Sequence, residues 1–259
     1  MRVHLATVLG LVLTMPVVIP AEAAAPRKPT VVLVHGAFGD ASGWSSTIRG
    51  LKKAGYPVLA PANPLRELAG DAAYVSSVLR TVKGPVVLVG HSYGGMVISN
   101  AAVGHPNVKA LVYIAALMPK KGESAAALDA RYPGATASRS LIRRPIPGGG
   151  VDFYLDPAAF RSALGADLPR SVTSVMAVTQ RPITAAALRA PSRASAWTSI
   201  PSWYLVTGRD KAVPPRMQRF MAGRARARVF TAPKASHLVF RSRPALTVSV
   251  IEAAAKAAT

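Results

Sequence analysis

The residues most able to do chemistry lie in Gly90-His91-Ser92-Tyr93-Gly94-Gly95, between the apolar run Pro85 to Val89 and an apolar helical pattern from Tyr93 to Val103. A G-x-S-x-G pattern means little alone, but between a strand and a helix it describes a sharp turn that raises the serine above a sheet edge. Glycines two residues to either side are required because side chains there would collide. The positive end of the following helix lies beneath the Ser92 hydroxyl. That hydroxyl is a poor nucleophile at neutral pH and needs a base. Of five histidines, His4 is near the start, His35 and His91 sit in strand-end motifs, and His105 precedes Pro106. His237 alone falls after the last strand pattern and before the last helix pattern, so it is the candidate base. Six carboxylates separate Ser92 from His237: Glu123, Asp129, Asp152, Asp156, Asp167 and Asp210. Asp210 follows the strand-like Ser202 to Thr207 and a tight turn, Gly208-Arg209, and is the candidate acid that fixes the base's tautomer. Glu123, just after a strand ending near Ala116, is the alternative. A serine attacking a carbonyl also needs donors for the developing oxyanion. The amide of Tyr93 is one candidate; that of Ala37, in His35-Gly36-Ala37-Phe38-Gly39, is the other. His35 is expected to orient that loop, not to react.

These residues must be carried by elements that deliver them to one place. Strand patterns at Thr30 to Val34, Pro57 to Ala60, Pro85 to Val89, Val108 to Ala116, Pro201 to Thr207 and Arg228 to Thr231 alternate with helical patterns. The helical patterns are Ser42 to Ala54, Glu67 to Val82, Tyr93 to Val103, Pro214 to Ala222 and Pro244 to Ala258. Continuous apolar strands separated by helices predict an α/β fold, a doubly wound, mostly parallel sheet of about six strands covered on both faces. From about 118 to 200 the alternation stops. Pro, Ser and Ala abound there, Arg143 to Gly150 reads as a loop, and no clear strand is visible. A helical cap over the carboxyl ends of the strands is expected, since ligands bind there in open parallel sheets. Phe38, Tyr93, Phe153, Tyr154, Trp197 and Leu238 are its candidate pocket residues.

Composition narrows the classes. The chain of 259 residues is half hydrophobic and has no cysteine, which excludes disulfides, thiolate metal sites and a cysteine nucleophile. No clustered histidine set suggests a metal, and none is expected. The loop after the first strand has neither G-x-G-x-x-G nor G-K-[ST], so both nucleotide fingerprints fail. The net charge is +21, but the basic residues are dispersed, which reads as a solvated surface and not as a nucleic-acid site. Arg224, Arg226 and Arg228 alternate with alanines, like one side of a chain entering a strand. At the start, Arg2, the apolar Leu5 to Ile19 and Ala21-Glu22-Ala23 have the arrangement of a secretory signal cleaved after Ala23, with Ala25 as the alternative site. That predicts export to the cell envelope or the medium as residues 24–259, with no membrane span left after cleavage.

Val34-His35-Gly36-Ala37, Gly90 to Gly95, Gly208 to Asp210 and Ser236-His237 together resemble the α/β-hydrolase family, over nearly the whole chain after the leader. The likeness is greatest to the compact branch of plant methyl esterases, hydroxynitrile lyases and bacterial esterase-like proteins. It implies a Ser-His-Asp triad of Ser92, His237 and Asp210, a small-molecule ester substrate, an acyl-enzyme intermediate and no cofactor. The lyases of that branch carry a threonine where this chain has Gly36 and a lysine where it has Leu238, so the resemblance favours hydrolysis. Receptor-like members with little turnover also exist in the family, and a low-turnover ligand-binding protein is the second expectation.

Overall fold

The computed structural model describes residues 28–258. The expected leader lies outside the described residues. Six strands form one sheet: β1 (Thr30–Val34), β2 (Val58–Leu59), β3 (Val86–His91), β4 (Val108–Ile114), β8 (Ser202–Thr207) and β9 (Arg228–Ala232). Their order is β2-β1-β3-β4-β8-β9, and every neighbouring pair is parallel. All six residues of β3 are buried, as expected of a strand covered on both faces. Each fully buried aliphatic side chain there contributes about 1.5–3 kcal/mol relative to exposure.

The covering helices follow from the apolar spacing. On one face lie α2 (Leu68–Thr81), α3 (Gly94–Ala101) and α8 (Pro215–Arg224), whose Leu68, Val75, Leu79, Met96, Val97 and Met217 share a core with Val32, Leu88 and Tyr204. On the other lie α1 (Ser45–Lys53) and α10 (Pro244–Lys256), with Leu51, Val250 and Ile251 packed against Val31, Val87 and Val112. Glu67 caps α2, its side chain accepting from the Gly70 amide at 3.0 Å. Proline at the first turn of α8 and α10 needs no amide donor there. Among the described residues, no helix is long and apolar enough to cross a membrane.

The cap corrects one expectation. It contains α4 (Ala125–Arg131), α5 (Pro157–Leu164), α6 (Arg170–Val178) and α7 (Ala185–Arg189), but it is not wholly helical. A three-stranded antiparallel sheet, β5 (Leu141–Pro145), β6 (Val151–Leu155) and β7 (Ile183–Thr184), lies within it. The stretch read as a loop is a hairpin in which Leu141 pairs with Leu155 and Pro145 with Val151. Arg143 and Arg144 hid β5, because an exposed edge strand carries charge in place of an apolar run. The arginine alternation is corrected as well. Arg224 ends α8, Arg226 turns with φ +51, and only Arg228 belongs to β9, so the three share no strand face. A short helix, α9 (Val239–Ser242), precedes α10.

Candidate active site

The turn after β3 is set by close backbone contact. A Cβ on Gly90 would lie 2.6 Å from the Gly94 carbonyl oxygen, one on Gly94 2.4 Å from that of Val34, and one on Gly95 2.2 Å from that of Leu117. Real Cβ atoms do not approach so near, so these positions accept glycine alone. Ser92 between them has φ +54, a left-handed conformation that costs a non-glycine residue about 1–3 kcal/mol. Its own amide donates to the Ile114 carbonyl, and its carbonyl accepts from the amides of Gly95 and Leu117, both at 3.0 Å. Three elements therefore fix the serine backbone.

The acid and base candidates meet at the same sheet edge. Asp210 follows β8, and its turn is tied to the loop after β9 by Gly208 N–H to Ala232 O and Arg209 N–H to Ala235 O, each 3.0 Å. His237 Nδ1 lies 2.8 Å from Asp210 Oδ2. The same oxygen accepts from Thr207 Oγ1 and Gln218 Nε2, both at 2.9 Å. Oδ1 accepts from the amides of Ala212 at 2.8 Å and Val213 at 2.9 Å. The carboxylate is buried and its lone pairs are filled, so it holds the imidazole in one orientation. The loop carrying His237 is also fastened to the cap: Ser236 Oγ donates to Asp167 and to Leu164 O, and the Leu238 amide donates to Leu164 O at 3.1 Å.

Ser92 Oγ forms no hydrogen bond among the described residues, to His237 or to any other group. The three side chains thus share an edge, but only the Asp210–His237 bond is made. The rings of His91 and His237 are 4.5 Å apart, and His91 Nε2 donates to the His237 carbonyl at 3.0 Å. Burial, aided by the nearby His237, holds His91 well below the usual imidazole range, so it is a neutral donor. His35 is fully engaged. Its Nδ1 donates to Gly36 O at 2.9 Å, and its Nε2 accepts from the Asn63 amide at 2.9 Å. Burial lowers its pKa too.

Ser92 opens into a cavity of about 280 Å³. Ala37, Phe38 and Tyr93 line it from the core, and Phe153, Ile183 and Leu188 from the cap. The walls are almost wholly apolar, which suits a small organic molecule. Three candidate pocket residues lie elsewhere. Tyr154 follows Phe153 on β6 and so points to the opposite face, under the Arg144 guanidinium at 4.8 Å. The Trp197 indole donates to Pro119 O at 2.7 Å and packs against the core. Leu238 is buried against Leu164 and Leu168. Glu123, the alternative acid, is held by both terminal nitrogens of Arg224, at 2.7 and 2.5 Å. Burial is the largest single influence and would raise its pKa, but the Arg224 hydrogen bonds, the Lys120 amide and the charges of Arg224 and Arg131 together lower it from its usual value.

Several supporting residues escaped the sequence. Gln218 Nε2 also donates to Val213 O at 2.7 Å and to Thr207 Oγ1 at 2.9 Å, while its Oε1 accepts from the Thr207 amide at 3.0 Å. Asp71, buried on α2, accepts from the Tyr93 hydroxyl at 2.8 Å and the Arg66 amide at 3.1 Å. Arg66 in turn reaches the cap: its guanidinium donates to Asp152 at 2.8 Å and to Pro182 O at 2.7 Å, and its carbonyl accepts from Thr184. Polar residues on a helix or loop give no periodic signal of such roles. Only a lone glutamine inside an otherwise apolar helix face, as at Gln218, could have drawn notice.

The carbendazim-hydrolysing esterase of Nocardioides sp. (strain SG-4G) is 38% identical over 110 residues, covering 38% of this chain and 46% of that protein. The chain therefore spans less than half of that relative. An alpha/beta hydrolase of Aspergillus novofumigatus (strain IBT 16806), nvfD, is 28% identical over 217 residues, 75% of this chain and 83% of that one. Among solved structures, polyneuridine aldehyde esterase superposes with a TM-score of 0.76 at 20% identity, covering 87% of this chain and 98% of its own. The profile of the alpha/beta hydrolase family matches residues 31–250, and the chain belongs to that family.

Proposed function

We propose that the protein hydrolyses small carboxylic esters through an acyl-enzyme on Ser92. The observation that carries this reading is the Asp210–His237 pair, 2.8 Å apart at the sheet edge where Ser92 stands in its left-handed turn. The relatives named esterase and hydrolase support the same reaction class. In the proposed sequence, substrate brings Ser92 Oγ within reach of His237 Nε2, a contact that commonly tightens only in the substrate complex. His237 takes the proton as the serine attacks the carbonyl, and Asp210 stabilises the imidazolium. The amides of Ala37 and Tyr93 hold the oxyanion. His237 then gives its proton to the leaving alcohol. Water, deprotonated by the same ring, cleaves the acyl-enzyme and restores the serine.

Gly36 weighs against a lyase. A Cβ there would meet Ser92 Cβ at 2.6 Å and its Oγ at 3.2 Å, so a threonine at this position would displace the serine. The test is a fluorophosphonate probe with a panel of short acyl esters. Labelling of Ser92 and repeated turnover are expected. No labelling and no turnover across esters, lactones and amides would sink the proposal, and one slow turnover with retained product would favour the ligand-binding reading. We also propose export after cleavage behind Ala23; an envelope or medium fraction whose first residue is Ala24 is the expected result.

A further inference from the structure

The cavity wall holds one carboxylate that no other group among the described residues engages. Asp129, on α4, lines the same space as Ser92. It is partly buried, and among the described residues it forms no hydrogen bond and no ion pair. This is unexpected in a chain with 32 lysines and arginines against 11 carboxylates. Its neighbours on the wall, Ala125, Ala126 and Leu188, offer it no polar atom from a side chain. Arg189 also touches the cavity, but it is exposed and makes no bridge to Asp129. Desolvation raises the Asp129 pKa, and no charge among the described residues opposes it.

A carboxylate partly withdrawn from water beside alanine and leucine, without a donor, is an unfavourable arrangement. A cation or N–H donor brought by a ligand would relieve it. The rest of the wall asks for an apolar body. The overall positive field opposes a cationic ligand, but it is screened beyond about 8 Å at physiological salt, and Arg189, the one cationic residue lining this cavity, is solvent-exposed.

Resting on the proposed ester hydrolysis, we infer that the substrate carries a protonated amine on its apolar body, remote from the scissile carbonyl, and that Asp129 recognises it. No bond is made or broken at Asp129; it is a specificity residue that holds one end of the ligand.

The test compares three esters of equal length ending in dimethylammonium, isopropyl or carboxylate. The first two are close in shape and differ in charge. The terminal group is placed on the acyl half in one series and on the alcohol half in another. The wild type should prefer the dimethylammonium ester in at least one series. Asp129→Asn should remove that preference, at least about tenfold in kcat/KM and mainly through KM, leaving the isopropyl ester unchanged. Asp129→Glu should restore part of it. A wild-type preference for isopropyl in both series overturns the inference, as does a preference that Asp129→Asn leaves intact. A preference for the carboxylate that Arg189→Gln abolishes would assign recognition to Arg189 instead. The same ligands are titrated into Ser92→Ala by calorimetry, so that recognition is read without turnover. Asp129-dependent binding with no hydrolysis by the wild type would sink the esterase reading alone; hydrolysis with no Asp129 dependence would sink this one alone.

Discussion

At the carboxyl edge of the central sheet, backbone meets backbone so closely that four glycines, at 36, 90, 94 and 95, leave no room for a methyl group. In the cap hairpin, Gly148 and Gly149 have nothing within 4 Å of the same imaginary atom, and they are glycines because φ is +83 and +104. One region is fixed by exclusion and the other by turn geometry. The first must present a strained serine and a fully bonded carboxylate within tight tolerances. The second belongs to a cap that leaves Val175 and Val178 of α6 exposed, at 59% and 76%. Precision is concentrated where bonds would be exchanged, and latitude where substrates would be sorted.

The comparison breaks most sharply at the sheet edge. Ser92→Ala is expected to lower kcat on a short acyl ester on the order of 10⁶-fold with little change in the urea midpoint, and Asp210→Asn about 10⁴-fold with a lower midpoint, because an amide nitrogen there would face donors that the buried carboxylate now satisfies. Steady-state kinetics beside an equilibrium melt checks both, and a variant within tenfold of wild type would remove that residue from the mechanism. Gly95→Ala tests exclusion itself. Its methyl would have to displace the Leu117 carbonyl, and we expect a loss of about 3 kcal/mol by denaturant unfolding. A neutral effect would show that the edge relaxes as the cap does.

Acidification probes the same edge through its buried imidazoles. His35 and His91 both have pKa values depressed in the fold, so the unfolded chain binds more protons below its own imidazole pKa. Their contribution is complete above about pH 6.5 and is lost as pH falls, by up to about 1.4 kcal/mol per pH unit for each histidine. Asp71 has the opposite sign, because burial raises its pKa, but it acts only in the carboxylate range. Denaturant midpoints at pH 7.0 and 5.5 should differ, and His91→Gln should shrink the difference; equal midpoints in the wild type would refute the assignment. The smallest effect belongs to the cap. Val178→Ser should change stability by no more than about 0.5 kcal/mol in the same assay, and a larger loss would mean that this face is covered in solution.

The edge was legible in the sequence because its constraints are local. Ser92, His237 and Asp210 could be placed by counting strands and turns, and the six parallel strands by unbroken apolar runs such as Val86 to Val89. The cap was less so. Its β5 and β6 pair through Leu141, Phe153 and Leu155, but the alternation is masked by Arg143, Arg144 and Asp152, and neither strand is buried on both faces. Tyr154 was placed in the pocket by its aromatic type and put outside it by its register. Gln218 and Asp71 could not be found from patterns, since a hydrogen-bond network among elements distant in the chain leaves no periodic trace.

Through Asp152, Pro182 and Thr184, Arg66 grips the cap, and through Asp71 it reaches the hydroxyl of Tyr93, the residue that follows the serine. The cap is therefore not an interchangeable module. A chimera that grafts a foreign cap between β4 and β8 while keeping the native stretch from 64 to 71 would leave the Arg66 guanidinium without Asp152 and Pro182, and transplantation should carry both segments together.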